Sequence, residues 1–149
     1  MKTATDIMTK NVVSVTLDTS IKDLAGILIN NNISGVPVLD KGSSLCGIVT
    51  ESDLIFQNKR LQLPPVITIL DSFLFLDNPD RMEQELKKIA GATVRDIYTE
   101  EIVSIGPDTP LDEIATIMTE KKIHTLPVLS KDGEMVGIVG KKDIIRTIL

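Results

Sequence analysis

Thr50-Glu51-Ser52-Asp53, a carboxylate three residues behind a threonine, is the short stretch of this chain best equipped for chemistry. A carboxylate accepts two hydrogen bonds from neighbouring hydroxyls, and free N–H groups at a helix start favour an anion. The same tetrapeptide is close to a helix capping box, with Thr50 as N-cap and Asp53 at the third helical position. The residues by themselves leave both readings open, and Asp53 can serve both. The rest of the inventory is short. His124, Cys46 and Tyr98 are each the only residue of their type, too few for a transition-metal cluster of recognisable spacing. No nucleophile elbow, Walker loop or dinucleotide glycine fingerprint occurs, so an enzyme is not expected.

The elements that must position these residues come from a duplication. Asp6-Ile7-Met8-Thr9 returns as Asp96-Ile97-Tyr98-Thr99, and Ile33-Ser34-Gly35-Val36-Pro37-Val38-Leu39 as Ile123-His124-Thr125-Leu126-Pro127-Val128-Leu129. Gly47-Ile48-Val49 matches Gly137-Ile138-Val139, and Asp53 matches Asp143, always ninety positions apart. Cys46 aligns with Val136, which makes it a core residue of a strand and not a redox sensor.

Each copy reads as strand–helix–strand–strand–helix. A first strand (Val12 to Val15; Ile102 to Ile105) leads into Asp-Thr, with Thr19 and Thr109 as N-caps and Pro110 in a first turn. The following helix places Ile21, Leu24, Ala25 and Leu28 on one face; Leu111, Ile114, Ala115 and Met118 do so in the second copy. Strands Val36 to Leu39 and Leu45 to Val49 follow, joined by a turn at Gly42; the second copy has Leu126 to Leu129, Asp132-Gly133 and Met135 to Val139. Closing helices begin near Glu51 and Lys141.

Residues 1–58 and 94–149 thus form the two copies, and 59–93 form an insertion. In it, Leu63-Pro64-Pro65 breaks any helix, Val66 to Leu76 carries Phe73 and Phe75, and Asp77-Asn78-Pro79 opens a helix from about Asp80 to Ile89, ended by Gly91. A lid, a self-association surface and a plain connection all fit such a segment. The net charge of −5 disfavours nucleic acid and gives little attraction to an anionic membrane. The N-terminus lacks the apolar core of a signal peptide, and no apolar run is long enough to span a bilayer, so the expectation is a cytoplasmic protein. A single cysteine excludes an intrachain disulfide.

Ile-Ser-Gly-Val-Pro-Val-Leu followed by Gly-Ile-Val-Thr-Glu-Ser-Asp-Leu closely resembles the cystathionine-beta-synthase-type (CBS) motif. Its second copy does too, and Asp6-Ile7-Met8-Thr9 is an opening common in bacterial and archaeal members. The resemblance implies an α+β fold in which two tandem motifs pack through their sheets as a pseudo-twofold module with two clefts. It implies binding of AMP, ADP, ATP or S-adenosylmethionine, no required cofactor, a homodimer, and an effector protein outside this chain.

In the family, the acid of the motif holds the ribose hydroxyls and the preceding Thr or Ser supports phosphate or sugar. Carried over, the first site takes Thr50, Ser52 and Asp53 with Tyr98, Val103, His124 and Thr125. Tyr98 and Val103 would contact the base, and His124 a phosphate; Thr125 stands where many nucleotide-binding members have Arg. The second site takes Met8, Val13, Ser34, Gly35, Lys141, Lys142 and Asp143, ranked below the first because Gly140 replaces the motif's Thr. That departure and Thr125 also suit a ligand-independent interaction or oligomerisation module, with the insertion as its contact surface.

Overall fold

The computed structural model describes residues 1–56 and 92–149; the expected insertion elements, Val66 to Leu76 and Asp80 to Ile89, lie outside the described residues. The first half runs α1 (Ala4–Ile7), β1 (Val15–Thr16), α2 (Ile21–Asn30), β2 (Gly35–Leu39), β3 (Leu45–Thr50) and α3 (Glu51–Phe56). The second half runs α4 (Val94–Ile97), α5 (Leu111–Lys121), β4 (Thr125–Leu129), β5 (Met135–Gly140) and α6 (Lys141–Arg146). β2 pairs antiparallel with β3 and β4 with β5, in registers that match through the repeat, including a shift after Val38 and after Val128.

The prolines at the centre of β2 and β4 fall where a missing donor costs nothing. Pro37 faces Ile48 and Pro127 faces Ile138 across the hairpins. Ile48 directs its N–H and C=O away from β2, to Thr99 at 3.0 and 2.8 Å; Ile138 does the same with Thr9 at 3.0 and 2.8 Å. Each proline therefore sits opposite a non-hydrogen-bonded position of the antiparallel ladder, which needs no N–H from it.

Those outward bonds tie the halves together. Each half begins with a segment that completes the other half's core. Ala4 of α1 is buried with Ile114, Leu126, Val128 and Val139, whereas Val94 and Ile97 of α4 are buried with Leu24, Val36, Val38 and Val49. The backbone repeats the exchange: Ala4 N donates to Thr109 O and Val94 N to Thr19 O, both at 2.9 Å. Neither half keeps a complete core if the other is removed.

Two local expectations shift. The early strands are shorter than expected: β1 has only two residues, and its counterpart is a single parallel bridge between Ile105 and Val128. Thr19 and Thr109 are not helix caps. Their hydroxyls accept from Thr16 N and Gly106 N, both at 3.0 Å, closing the turn one residue earlier. Ser20 caps α2, accepting from Asp23 N at 3.0 Å, and Pro110 occupies the N-cap of α5. The first hairpin turn contains Gly42, as expected, and its left-handed residue is Ser43, whereas Gly133 holds that place in the second. Asp40 Oδ1 makes this possible by accepting from Gly42 N and Ser44 N at 2.9 and 3.0 Å.

The helix faces read from spacing hold in part: Ile21, Leu24 and Leu28 are buried, as are Ile114 and Met118, while Ala25, Leu111 and Ala115 are half-buried. Gly26, in the interior of α2, has open space around its missing Cβ. Gly26→Ala is therefore expected to raise stability by about 0.5–1 kcal/mol, by restricting the unfolded chain and filling no occupied volume. Urea unfolding of the two proteins checks it; a lower midpoint for the alanine variant would show an unseen contact at that face.

Candidate functional site

Two clefts open between the halves, of about 210 and 200 Å3. Ser34 and Thr125 line both, so these residues form the wall that separates them. Behind that wall Gly35 meets Thr125 so closely that an added Cβ would stand 2.7 Å from the threonine hydroxyl. Thr125 is buried at the β2–β4 contact, and an arginine there would have to leave the strand interface.

In the first cleft the structure brings together Thr50, Ser52, Val103, His124 and Thr125 of the residues inferred from sequence. Ile48, Glu51, Thr99, Glu101, Lys122 and Ile123 join them. Asp53 is not among the lining residues. It is buried, and its Oδ2 accepts from Thr50 N at 2.9 Å and from Thr50 Oγ1 at 3.3 Å, which is the capping geometry. Tyr98 does not line the cleft either. Its ring lies over Gly47, where a Cβ would come within 2.5 Å, and its hydroxyl donates to Glu100 Oε1 at 3.1 Å. That hydrogen bond to a carboxylate raises the phenol's pKa above its ordinary value.

The second cleft gathers Val13, Ser34, Gly35, Lys141, Lys142 and Asp143 of those inferred, with Thr9, Asn11, Asn31, Asn32, Gly140 and Arg146. Met8 stands outside for the same reason as Tyr98: its side chain covers Gly137, with Sδ 2.5 Å from where a Cβ would be. Asp143 is buried but reaches the cleft. Its Oδ2 accepts from Gly140 N at 2.7 Å, and its Oδ1 accepts from Arg146 Nη1 at 2.9 Å and Thr9 Oγ1 at 3.5 Å. Gly140 thus lacks the hydroxyl that Thr50 gives to Asp53, but keeps the shorter of the two bonds, from the backbone N–H to the carboxylate. Lys142 Nζ reaches across to donate to Asn32 O at 2.8 Å.

Sequence reasoning missed Arg146, Asn31, Asn32 and Glu101. Arg146 left a signal, standing three residues after Asp143 on the same helix face. The others sit in loops whose aim depends on the packing of the two halves. Cys46 is half-buried against the first core, and burial pushes its thiol pKa up, as befits a packing residue. Among the described residues no group of metal-ligating side chains occurs, and no helix is long and apolar enough to cross a membrane.

The comparisons agree with this architecture. A family model for the CBS domain matches residues 4–59 and 94–149. The protein MJ1426 of Methanocaldococcus jannaschii is 31% identical over 97% of this chain and 89% of its own length. CBSX2 of Arabidopsis thaliana, a chloroplastic CBS domain-containing protein, is 27% identical over 99% of this chain, which spans 63% of that protein. The structure of CBSX2 in complex with AMP superposes with a TM-score of 0.69 at 24% identity, over 99% of this chain and 96% of that one, a likeness of fold. The CBS domain pair of MJ0100, in complex with 5′-methylthioadenosine and S-adenosyl-L-methionine, superposes with a TM-score of 0.70 at 25% identity, over 99% and 96%. With two matched domains, the repeat and the paired clefts all present, the chain belongs to the CBS domain family and has the α+β fold of a tandem CBS pair.

Proposed function

We propose that this chain is a regulatory module that binds adenosyl ligands of the AMP, ADP, ATP or S-adenosylmethionine class in its clefts, and is not an enzyme. The observation that carries the reading is the buried carboxylate at the second cleft. Asp143 is held by Gly140 N, Arg146 and Thr9, a fixed acceptor and the one acidic side chain among the described residues of a pocket also lined by hydroxyls, amides, aliphatic groups and the cations Lys141, Lys142 and Arg146. A vicinal diol is a fitting partner for such a group. The MJ0100 pair, similar across nearly the whole chain, binds two adenosyl compounds.

Ligand occupancy would act through the exchanged segments. The halves bond to each other through Thr9–Ile138 and Thr99–Ile48 beside the clefts, so a ligand bridging them favours one relative arrangement. A ligand shifts such an equilibrium only by its difference in affinity for the two arrangements, typically about 1–3 kcal/mol. Thermal melting of ligand-stripped protein against AMP, ADP, ATP, S-adenosylmethionine and GTP tests the reading. A rise with adenosyl compounds but not GTP supports it. No rise with any at millimolar concentration leaves the interaction module as the better account.

A homodimer belongs to this proposal. Ile55 on α3 and Ile145 on α6 occupy equivalent repeat positions and are 38% and 55% exposed, followed by exposed Ile148 and Leu149. Paired apolar side chains on two related helices form a surface that self-association would cover. Sedimentation is expected to show a dimer for the natural chain and a monomer for Ile145→Asp; a natural chain that sediments as a monomer removes the dimer.

A further inference from the structure

The two clefts are built by one repeat yet carry opposite charge. Among the described residues, the charged lining of the first is Glu51, Glu101 and Lys122; that of the second is Lys141, Lys142, Arg146 and Asp143. Counting the Lys, Arg, Asp and Glu side chains, the net is −1 against +2. The difference arises at matched positions: Glu51 becomes Lys141, Ser52 becomes Lys142, and Glu101 corresponds to Asn11.

Helix stability does not explain the lysines. Lys141 and Lys142 are the first two residues of α6, where the helix's own partial positive charge opposes them, and Glu51 holds the favourable sign at the same place in α3. Lys142 spends its ammonium on a neutral main-chain oxygen, Asn32 O, which a phosphoryl oxygen outcompetes because both partners are then charged. Arg146 gives one N–H to Asp143, and its side chain is 68% exposed, leaving guanidinium donors for a second anion.

We propose that the clefts sort ligands by charge: the second takes an adenosyl ligand bearing phosphoryl groups, held at its anionic end by Lys141, Lys142 and Arg146. The first takes a ligand with an uncharged or cationic 5′ substituent, such as a nucleoside. This rests on the adenosyl reading above and reverses the ranking that the missing Thr at Gly140 suggested.

Calorimetric titration of the full chain with ATP, adenosine and inorganic tripolyphosphate tests it, using the natural protein and the double variant Lys141→Gln, Lys142→Gln. The natural chain is expected to bind ATP and adenosine together, without mutual competition. The double variant should lose about a hundredfold in ATP affinity, roughly tenfold per charge-assisted contact, and keep adenosine binding within about twofold. Tripolyphosphate should compete with ATP and leave adenosine bound, and added salt should weaken ATP alone. ATP binding that ignores the double substitution, or one site at which ATP and adenosine compete, overturns the sorting while leaving the adenosyl reading in place. If neither ATP nor adenosine binds, the adenosyl reading itself falls and takes the sorting with it. Circular dichroism of the double variant separates lost contacts from lost fold.

Discussion

Gly47→Ala is expected to lower stability by about 2–3 kcal/mol, whereas Gly137→Ala at the equivalent position costs about 1 kcal/mol. Both glycines sit under a side chain from the opposite half. At Gly47 a Cβ would stand 2.5 Å from the Tyr98 ring and 2.6 Å from Thr99 O. Thr99 O is backbone and already accepts from Ile48 N at 3.0 Å, so it cannot retreat without breaking the bridge that joins the halves. The Tyr98 ring is rigid and tethered by its hydroxyl to Glu100. At Gly137 the new methyl would meet only Met8, at 2.5, 2.8 and 3.2 Å from its Sδ, Cγ and Cβ. An unbranched thioether has rotamers to spare and can move aside. For a chain of this size, about 3 kcal/mol lowers the melting midpoint by roughly 6–12 °C. Equal midpoints for the two variants would mean that the Thr99 contact does not constrain the junction.

The second large effect is ligand linkage. AMP at about a hundred times its dissociation constant should add about 2.7 kcal/mol, a rise of roughly 5–11 °C in melting midpoint. Asp143→Ala should abolish most of that rise. The substitution also strips a partner from Gly140 N and from Arg146, so the ligand-free protein itself should lose about 1–2 kcal/mol. The decisive quantity is therefore the increment on adding AMP, measured for each protein against its own ligand-free midpoint. An undiminished increment in Asp143→Ala would remove this carboxylate from the site. Asp53→Ala should show a smaller loss of increment, since Asp53 caps Thr50 behind the first cleft and does not line it.

Much of this was legible in the residues, and the limits are instructive. The repeat, offset by ninety residues, located both hairpins to within one residue, because short aliphatic runs separated by turns carrying Asp and Gly are local signals with a local cause. The Thr-x-x-Asp stretch allowed capping and binding roles, and the folded chain shows the cap directly at Asp53 and both cap and cleft at Asp143. Thr19 and Thr109 misled by one residue, because a hydroxyl before a helix serves equally to close the preceding turn, and only backbone geometry distinguishes the two.

What the sequence determined by itself was the unit: its strands and helices, its duplication and the two acids, Asp53 and Asp143, that bond back to the residues opening the closing helices. Tertiary structure alone decided which half each opening segment completes. Ala4 and Val94 are apolar residues of short, weakly periodic helices, and nothing in their spacing says that each is buried in the other copy's core. The same crossing lays Tyr98 over Gly47 and Met8 over Gly137, away from the clefts where sequence had put them, and brings Glu101 to one cleft and Asn11 to the other. Periodicity encodes which face of an element is buried, whereas the partner across that face is chosen by packing between residues far apart in the chain.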